Sequence, residues 1–292
     1  MPGSDSRDTM INASPHETVL SKASIAWNLT RLEQVGETGE AWIFKGEGEN
    51  RQPLALYIFK PDVTGPLRRA GPLLEFYEGD GALRVHGYTS DALCTEWVEG
   101  PTLEEPARSG RDSEATAAIA TLAGLLHTPR PNPPAGLIPL RDYLQPLFEA
   151  DVRLWPDTAR DLYARSVGIA YGAFDRPAPE VPLHGMLTHS NIVLALRGWV
   201  AREGIGLLGD PAYDLAPSFL APAGEVKLAA NPVRINAMTD AYATRLNLPR
   251  KRILAWAAVH AAFSACREVD KGRSINWHLA VLPNLLAVYD AA

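Results

Sequence analysis

The sequence predicts an α+β protein of two lobes: a small antiparallel β-rich lobe over residues 24–99, then a larger, mainly helical lobe over residues 100–292. A loose tail over residues 1–23 precedes them. Three observations lead there. Between Trp27 and Arg84 the chain consists of short β-rich runs punctuated by turn-forming residues. After Gly100 alanine and leucine recur at helical spacing. From Ile235 the helical pattern runs on to the end.

Residues 1–23 are polar, with scattered Ser, Asp and Pro, which gives little apolar surface to bury. "EAWIFKG" (40–46) and "PLALYIFK" (53–60) read as strands separated by the turn-like "GEGENRQ". "GALRVHGY" (81–88) and "ALCTEWVEG" (92–100) read as a second hairpin of the same sheet. Between the hairpins, Pro66, Gly71 and Pro72 leave room only for a short or broken helix, because an internal proline removes a donor and crowds the preceding turn. "SEATAAIATLAGLLHT" (113–128) sets Ile119, Leu122, Ala123 and Leu126 on one helical face, with Ser113 as its cap. "PRPNPPAG" ends that helix. "LRDYLQPLFEADVRL" and "DTARDLYARSVGIAYGAF" read as further helices, and short strands are expected around residues 191–196 and 199–201.

Composition narrows the function classes. With 28 Lys and Arg against 34 Asp and Glu, the net charge of −6 offers no basic surface for nucleic acid. The most apolar stretch, Ile253 to Cys266, is too short for a membrane span and carries His260. No basic segment followed by an apolar run marks a secretory signal. Cys94 and Cys266 lack metal-ligand spacing and read as buried thiols of a reducing compartment, so a cytoplasmic protein is expected.

One short stretch carries chemistry. In "PLHGMLTHSN" (182–191), His184, Leu187 and Asn191 hold the spacing of a phosphotransferase catalytic loop. Phosphoryl transfer needs an aspartate in such a loop to orient the acceptor hydroxyl and take its proton, and an asparagine five residues on to hold magnesium. Asn191 stands at that spacing, but the aspartate position reads Met186.

Taken with "GWVAREGIGLLGDPAYDLA" (198–216), this loop resembles the aminoglycoside phosphotransferases, in the branch of the streptomycin 6-phosphotransferases and hydroxyurea phosphotransferases. "GDGALRV" (79–85), "LLHTPRP" (125–131) and "GDPAYDLA" (209–216) are further points of similarity, so the resemblance runs from about Trp27 to the C-terminus. It implies the two-lobed protein-kinase-like fold, with ATP and Mg2+ as cofactors and a small molecule as acceptor. The proton-accepting position falls on Met186, and His184 becomes a histidine that braces the loop. The metal positions fall on Asn191 and on Arg202 or Glu203, with Glu203 in the better register. Asp210 and Asp214 take structural roles in the helical lobe. In the β-rich lobe the resemblance assigns nucleotide contacts to Gly36, Gly39, Ala55, Glu96 and Val98, and its phosphate-binding lysine position reads Tyr57. Lys60 lies three residues on and points from the opposite face of a regular strand unless a bulge intervenes. The helix that normally supplies the lysine's glutamate partner holds Ala70, with Glu75 the nearest acid.

Three chemically important positions therefore depart from the pattern. A thioether is no base near neutral pH, and losing a general base costs about 10²- to 10⁴-fold in rate. Glu203 places its carboxylate one methylene further out, which strains magnesium's octahedral geometry. Tyr57 removes a cation from the phosphates. The expected protein is a degenerate phosphotransferase, a pseudokinase that holds a small-molecule ligand or an unknown protein partner. The alternative is an active ATP-dependent phosphotransferase acting on an alcohol or amine of a small molecule such as an aminoglycoside. His189 is expected as an exposed loop histidine, with a substitute base as its other reading. Trp97 and Trp199 are read as packing residues.

Overall fold

The computed structural model describes residues 15–61, 63 and 65–292. The chain divides into two compact units, one of Met1–Arg68 with His86–Trp97, the other of Arg69–Val85 with Val98–Ala292.

The first unit is built on a five-stranded sheet of β1 (Thr30–Glu37), β2 (Ala41–Glu47), β3 (Pro53–Phe59), β4 (Val85–Tyr88) and β5 (Ala92–Glu96), in the order β1-β2-β3-β5-β4. The β1–β2, β2–β3 and β3–β5 pairings are antiparallel. Alternation along β3 gives the sheet two distinct faces. Leu54, Leu56 and Ile58 join Phe44, Ala92 and Cys94 in an apolar cluster on one face. Directly paired residues share a face, so Ala55 and Tyr57 stand on the other with Lys45, Ile43, Thr95 and Leu93.

Part of the expected loose tail is a helix instead. Residues 1–14 of it lie outside the described residues, but Pro15–Ala26 forms α1. Val19, Leu20 and Ala23 fall on one helical face and pack into the cluster under the sheet, which the polar average of the segment conceals.

The second unit opens with most of α2 (Leu67–Tyr77). The segment expected to hold only a short or broken helix forms an unbroken one of 11 residues with Pro72 inside it. Burial of Ala70, Gly71, Leu73, Leu74 and Tyr77 along one face offsets the lost donor at Pro72. The short α3 (Glu104–Arg108) leads into α4 (Asp112–Leu126), which starts one residue before Ser113, so that serine is no cap. The single helix expected over "LRDYLQPLFEADVRL" is broken: α5 (Leu140–Tyr143) stops at Leu144, and α6 (Gln145–Glu149) restarts with Pro146 in its first turn. Then come α7 (Arg160–Phe174), α8 (Ala216–Phe219), α9 (Val226–Ala229), α10 (Pro232–Leu246), α11 (Arg250–Asp270) and α12 (Asn276–Ala291). Helix α11 is the axis of this unit, with Trp256, Ala257, Phe263 and Cys266 among its fully enclosed residues.

Two small sheets position the chemistry-bearing loops. Strand β10 (Leu207–Gly209) lies between β6 (Ile138–Pro139) and β7 (Val181–Leu183), and β8 (Ile192–Ala195) pairs with β9 (Gly198–Ala201). The segment 184–191 thus leaves β7 and enters β8, while 202–206 leaves β9 and enters β10. Both loops are pinned at each end by strands.

Candidate functional site

The loop begins at a sharp turn that only glycine accommodates easily: Gly185 has φ +77°, and an added Cβ would sit 3.1 Å from Leu207. Its backbone is held from below by Asp214. One carboxylate oxygen accepts from the Gly185 N–H at 2.6 Å and the other from the His184 N–H at 3.1 Å. His127 Nε2 lies 2.9 Å from the same carboxylate. Burial opposes a charge on the wholly enclosed Asp214, yet the His127 hydrogen bond, the neighbouring imidazoles and the Gly185 N–H together hold its pKa below the usual range.

His184 is fully buried and has both ring nitrogens committed. Nε2 donates to the Arg202 carbonyl at 3.0 Å, and Nδ1 accepts from the Met186 N–H at 3.3 Å. That pair of bonds defines a neutral tautomer, and burial pushes its pKa down in agreement. The side chain ties the two loops together and has no nitrogen left for a proton transfer.

Asn191 does the same from the loop's far end. Its amide nitrogen donates to the Met186 carbonyl at 3.2 Å and the Glu203 carbonyl at 2.9 Å. With both hydrogens directed at carbonyls, Oδ1 is left as the acceptor. Glu203 supplies the most informative atom of the site: its Oε1 is buried and has no hydrogen-bond partner. A buried acceptor left unmet costs about 1–3 kcal/mol, and a carboxylate more, so this oxygen calls for a cation or a donor. Next to it, Gly204 is needed for close approach, since a Cβ there would meet the His184 carbonyl at 2.6 Å. Arg202 uses its backbone on both sides, donating to the Asn191 carbonyl at 2.9 Å as well as accepting from His184. Among the described residues no cluster of three or more His, Cys, Asp or Glu is placed to cage a metal.

Met186 is 36% exposed and lines a cavity of about 320 Å3 with Gly185, Thr188, Ile205, His260 and Glu268. His189 is not the exposed loop residue expected. It is fully buried, 3.8 Å from Asp112 Oδ1, beyond hydrogen-bond range, and burial lowers its pKa. Its ring points into the α3–α4 region because the 3-10 turn His189–Asn191 carries it there, so it does not replace the missing base. Asp210 lies one strand away from the loop: it caps the next turn by accepting from Ala212 N–H at 3.0 Å and takes Arg252 Nε and Trp256 Nε1 on its other oxygen.

In the sheet unit, Ala55 is buried and Tyr57 half-buried on one face of β3. Lys60 follows the strand end. Its Nζ lies 3.6 Å from Glu37 and 5.5 Å from the Trp42 ring, and Trp42 packs on the opposite, apolar-cluster face. Gly36 lies in β1 and Gly39 in the β1–β2 turn, and a Cβ at either would meet nothing within 4 Å. Glu96 pairs with Leu54 at the end of β5. Val98 belongs to the other unit, packed against Leu83, Val193 and Val200. Ala70 is buried on α2 and Glu75 exposed.

Sequence reasoning gave no role to His127, although "LLHTPRP" was singled out. It also passed over Lys45, whose Nζ lies 5.1 Å from the Trp97 ring on the Ala55 face. A lysine directly opposite Ala55 becomes visible only once the β2–β3 register is known.

Residues 27–272 match the family model described as aminoglycoside/hydroxyurea antibiotic resistance kinase. A streptomycin 3''-kinase of Klebsiella pneumoniae is 32% identical over 253 residues, covering 84% of this chain and 91% of that protein. The fold is that of an aminoglycoside phosphotransferase APH(4)-Ia mutant solved with ADP and hygromycin B, at TM-score 0.60, 14% identity and coverage of 94% and 99% of the two chains. APH(3'')-Id from Streptomyces rimosus matches at TM-score 0.57 and 19% identity over 85% of this chain and 98% of its own. The antiparallel sheet followed by a helical unit is therefore a kinase-like α+β fold, and the chain belongs to the aminoglycoside/hydroxyurea antibiotic resistance kinase family.

Proposed function

We propose that this protein is a catalytically impaired phosphotransferase that has kept its cation-holding pair, a pseudokinase that binds a magnesium nucleotide or a similar phosphate ligand without efficient transfer. The single observation behind the reading is the loop itself. Its backbone is fixed by Asp214, His184 and Asn191, yet the position that needs a carboxylate holds Met186. Neither histidine of the loop replaces it, since His184 has both nitrogens bonded and His189 is buried against α4.

Magnesium, if bound, would supply positive charge against the phosphates of a nucleotide. Glu203 Oε1 and Asn191 Oδ1 are the atoms that would hold it, and the orphaned state of that carboxylate oxygen supports the fit. Residues 24–99 would carry the nucleotide contacts of Gly36, Gly39, Ala55, Glu96 and Val98, and residues 100–292 the loop and the acceptor side. Tyr57 stands where a lysine would meet the phosphates, so nucleotide affinity rests on the cation. The ligand is a small molecule and the setting cytoplasmic in this reading; no helix of the described residues is long and apolar enough to cross a membrane.

A second reading, an active but slow kinase of a small-molecule alcohol or amine, is favoured by the same Glu203 and Asn191 pair. Phosphoryl transfer has a loose transition state in which positioning and charge outweigh proton removal. Purified protein incubated with ATP, magnesium and streptomycin separates the two. The pseudokinase reading expects no ADP release above background, together with a magnesium-dependent rise in Tm on adding ATP. Turnover that disappears in Asn191→Ala would establish the second reading. Combining Tyr57→Lys, Met186→Asp and Glu203→Asp is expected to create activity; a folded but inert triple variant would show that the acceptor side has diverged too.

A further inference from the structure

A second cavity of the helical unit, about 490 Å3, shares no lining residue with the one beside Met186. It is walled by α7, by the chain that follows α7, by the first turn of α11 and by the end of α12. Four cations face it: Arg165, Arg176, Lys251 and Arg252. No acid lines it.

The four are not equally compensated. Arg165 holds Asp290 through Nη2 at 2.7 and 2.8 Å, and Arg252 holds Asp210 at 2.5 Å. Arg176 and Lys251 have no carboxylate partner among the described residues. Arg176 reaches only the Gly172 carbonyl at 3.4 Å, and Lys251 Nζ lies 5.0 Å from the Tyr289 ring. Arg250, Lys251 and Arg252 also crowd the first turn of α11 without any acid, where the helix dipole disfavours cations. Arg176 and Lys251 are exposed, and with no carboxylate beside them they give the cavity a positive potential that favours an anion.

The rest of the wall is apolar. Ile169, Ala173 and Ala255 line it, and a Cβ on Gly172 would meet only Arg176. We propose that this cavity is a binding site for a small aryl phosphate: a doubly charged phosphate held by Arg176 and Lys251, with a planar apolar body along α7. The inference is independent of any chemistry at residue 186.

The probe is 1-naphthyl phosphate, titrated calorimetrically into the whole protein without magnesium, with inorganic phosphate and 1-naphthol as comparators. Saturable binding is expected, at least about tenfold tighter than either comparator, because charge-assisted bonds and apolar burial both contribute. Arg176→Gln with Lys251→Gln should weaken it by about tenfold or more, since two charged contacts are removed. Both side chains end in solvent, and an unchanged Tm would verify the variant's fold. Absence of saturation at millimolar probe, or equal affinity in the double variant, would overturn the proposal. Should the double variant melt early, Arg176→Lys and Lys251→Arg, which keep the charge, are expected to bind within a few fold of the parent. Loss of binding in those conservative variants would also count against it.

Discussion

The amide of Asn191 and the carboxylate of Asp214 fix the loop from two sides, and each can be removed singly. Asn191→Ala deletes two side-chain hydrogen bonds to carbonyls, so stability should fall by about 1–2 kcal/mol in urea denaturation. The same variant should lose the magnesium-dependent Tm rise, an effect that a purely structural amide would not produce. His127→Ala withdraws a hydrogen bond from a fully enclosed carboxylate and should cost about 1–3 kcal/mol. His127→Gln, which keeps a donor at similar reach, should recover part of that loss. Equal urea midpoints for His127→Ala and the parent would contradict the role given to His127.

Among the elements, α2 and the 202–206 loop respond in opposite directions to small changes. Pro72 lies inside α2 and supplies no N–H to the turn before it, so Pro72→Ala should raise the urea midpoint if the helix face keeps its packing. Gly204→Ala should act the other way. The added methyl would sit 2.6 Å from the His184 carbonyl and 2.9 Å from Leu73, forcing apart two loops that His184 joins. A loss of about 2 kcal/mol or more is expected for such overpacking, measured by denaturant melting. A stability equal to the parent's would mean that the loops are not clamped as described.

For the molecule as a whole, the pH response follows from its buried and half-buried histidines. His184, His189, His260 and His278 all have depressed pKa values, chiefly through burial, with His260 pushed down to about 3. A folded-state pKa below the unfolded value of about 6.5 means that the unfolded chain takes up protons first as pH falls. Stability from these four is complete above that value and is lost progressively beneath it. Asp112, held at about 2, and Asp214 are depressed carboxylates, so their contribution is present above about pH 3.9 and declines only in stronger acid. Tm should therefore be lower at pH 5 than at pH 7.5, with a steeper fall below pH 4; a flat Tm between 5 and 7.5 would contradict it.

The two-part architecture and the loop were legible because they rest on local patterns: β-rich runs before Gly100, helical spacing after it, and a fixed His184-to-Asn191 interval. What was illegible depends on distant partners. The buried side of α1 exists only because the sheet presents Leu54, Leu56 and Ile58 to it. His127 matters only because α4 ends beside Asp214, 87 residues away. His189 is enclosed because residues of α3 and α4 surround a turn that, by composition alone, belongs to a polar loop.

The clamp beneath the loop has one more implication. Asp214 grips main-chain groups, His184 grips main-chain groups, and Asn191 bonds the carbonyl of residue 186 rather than its side chain. The thioether of Met186 is thus the one part of that residue on which none of these anchors depends. Position 186 is therefore expected to act as a socket: exchanging its occupant for a carboxylate, an imidazole or a thiol should leave these anchors in place, so that the chemistry at this point can change without rebuilding what holds it.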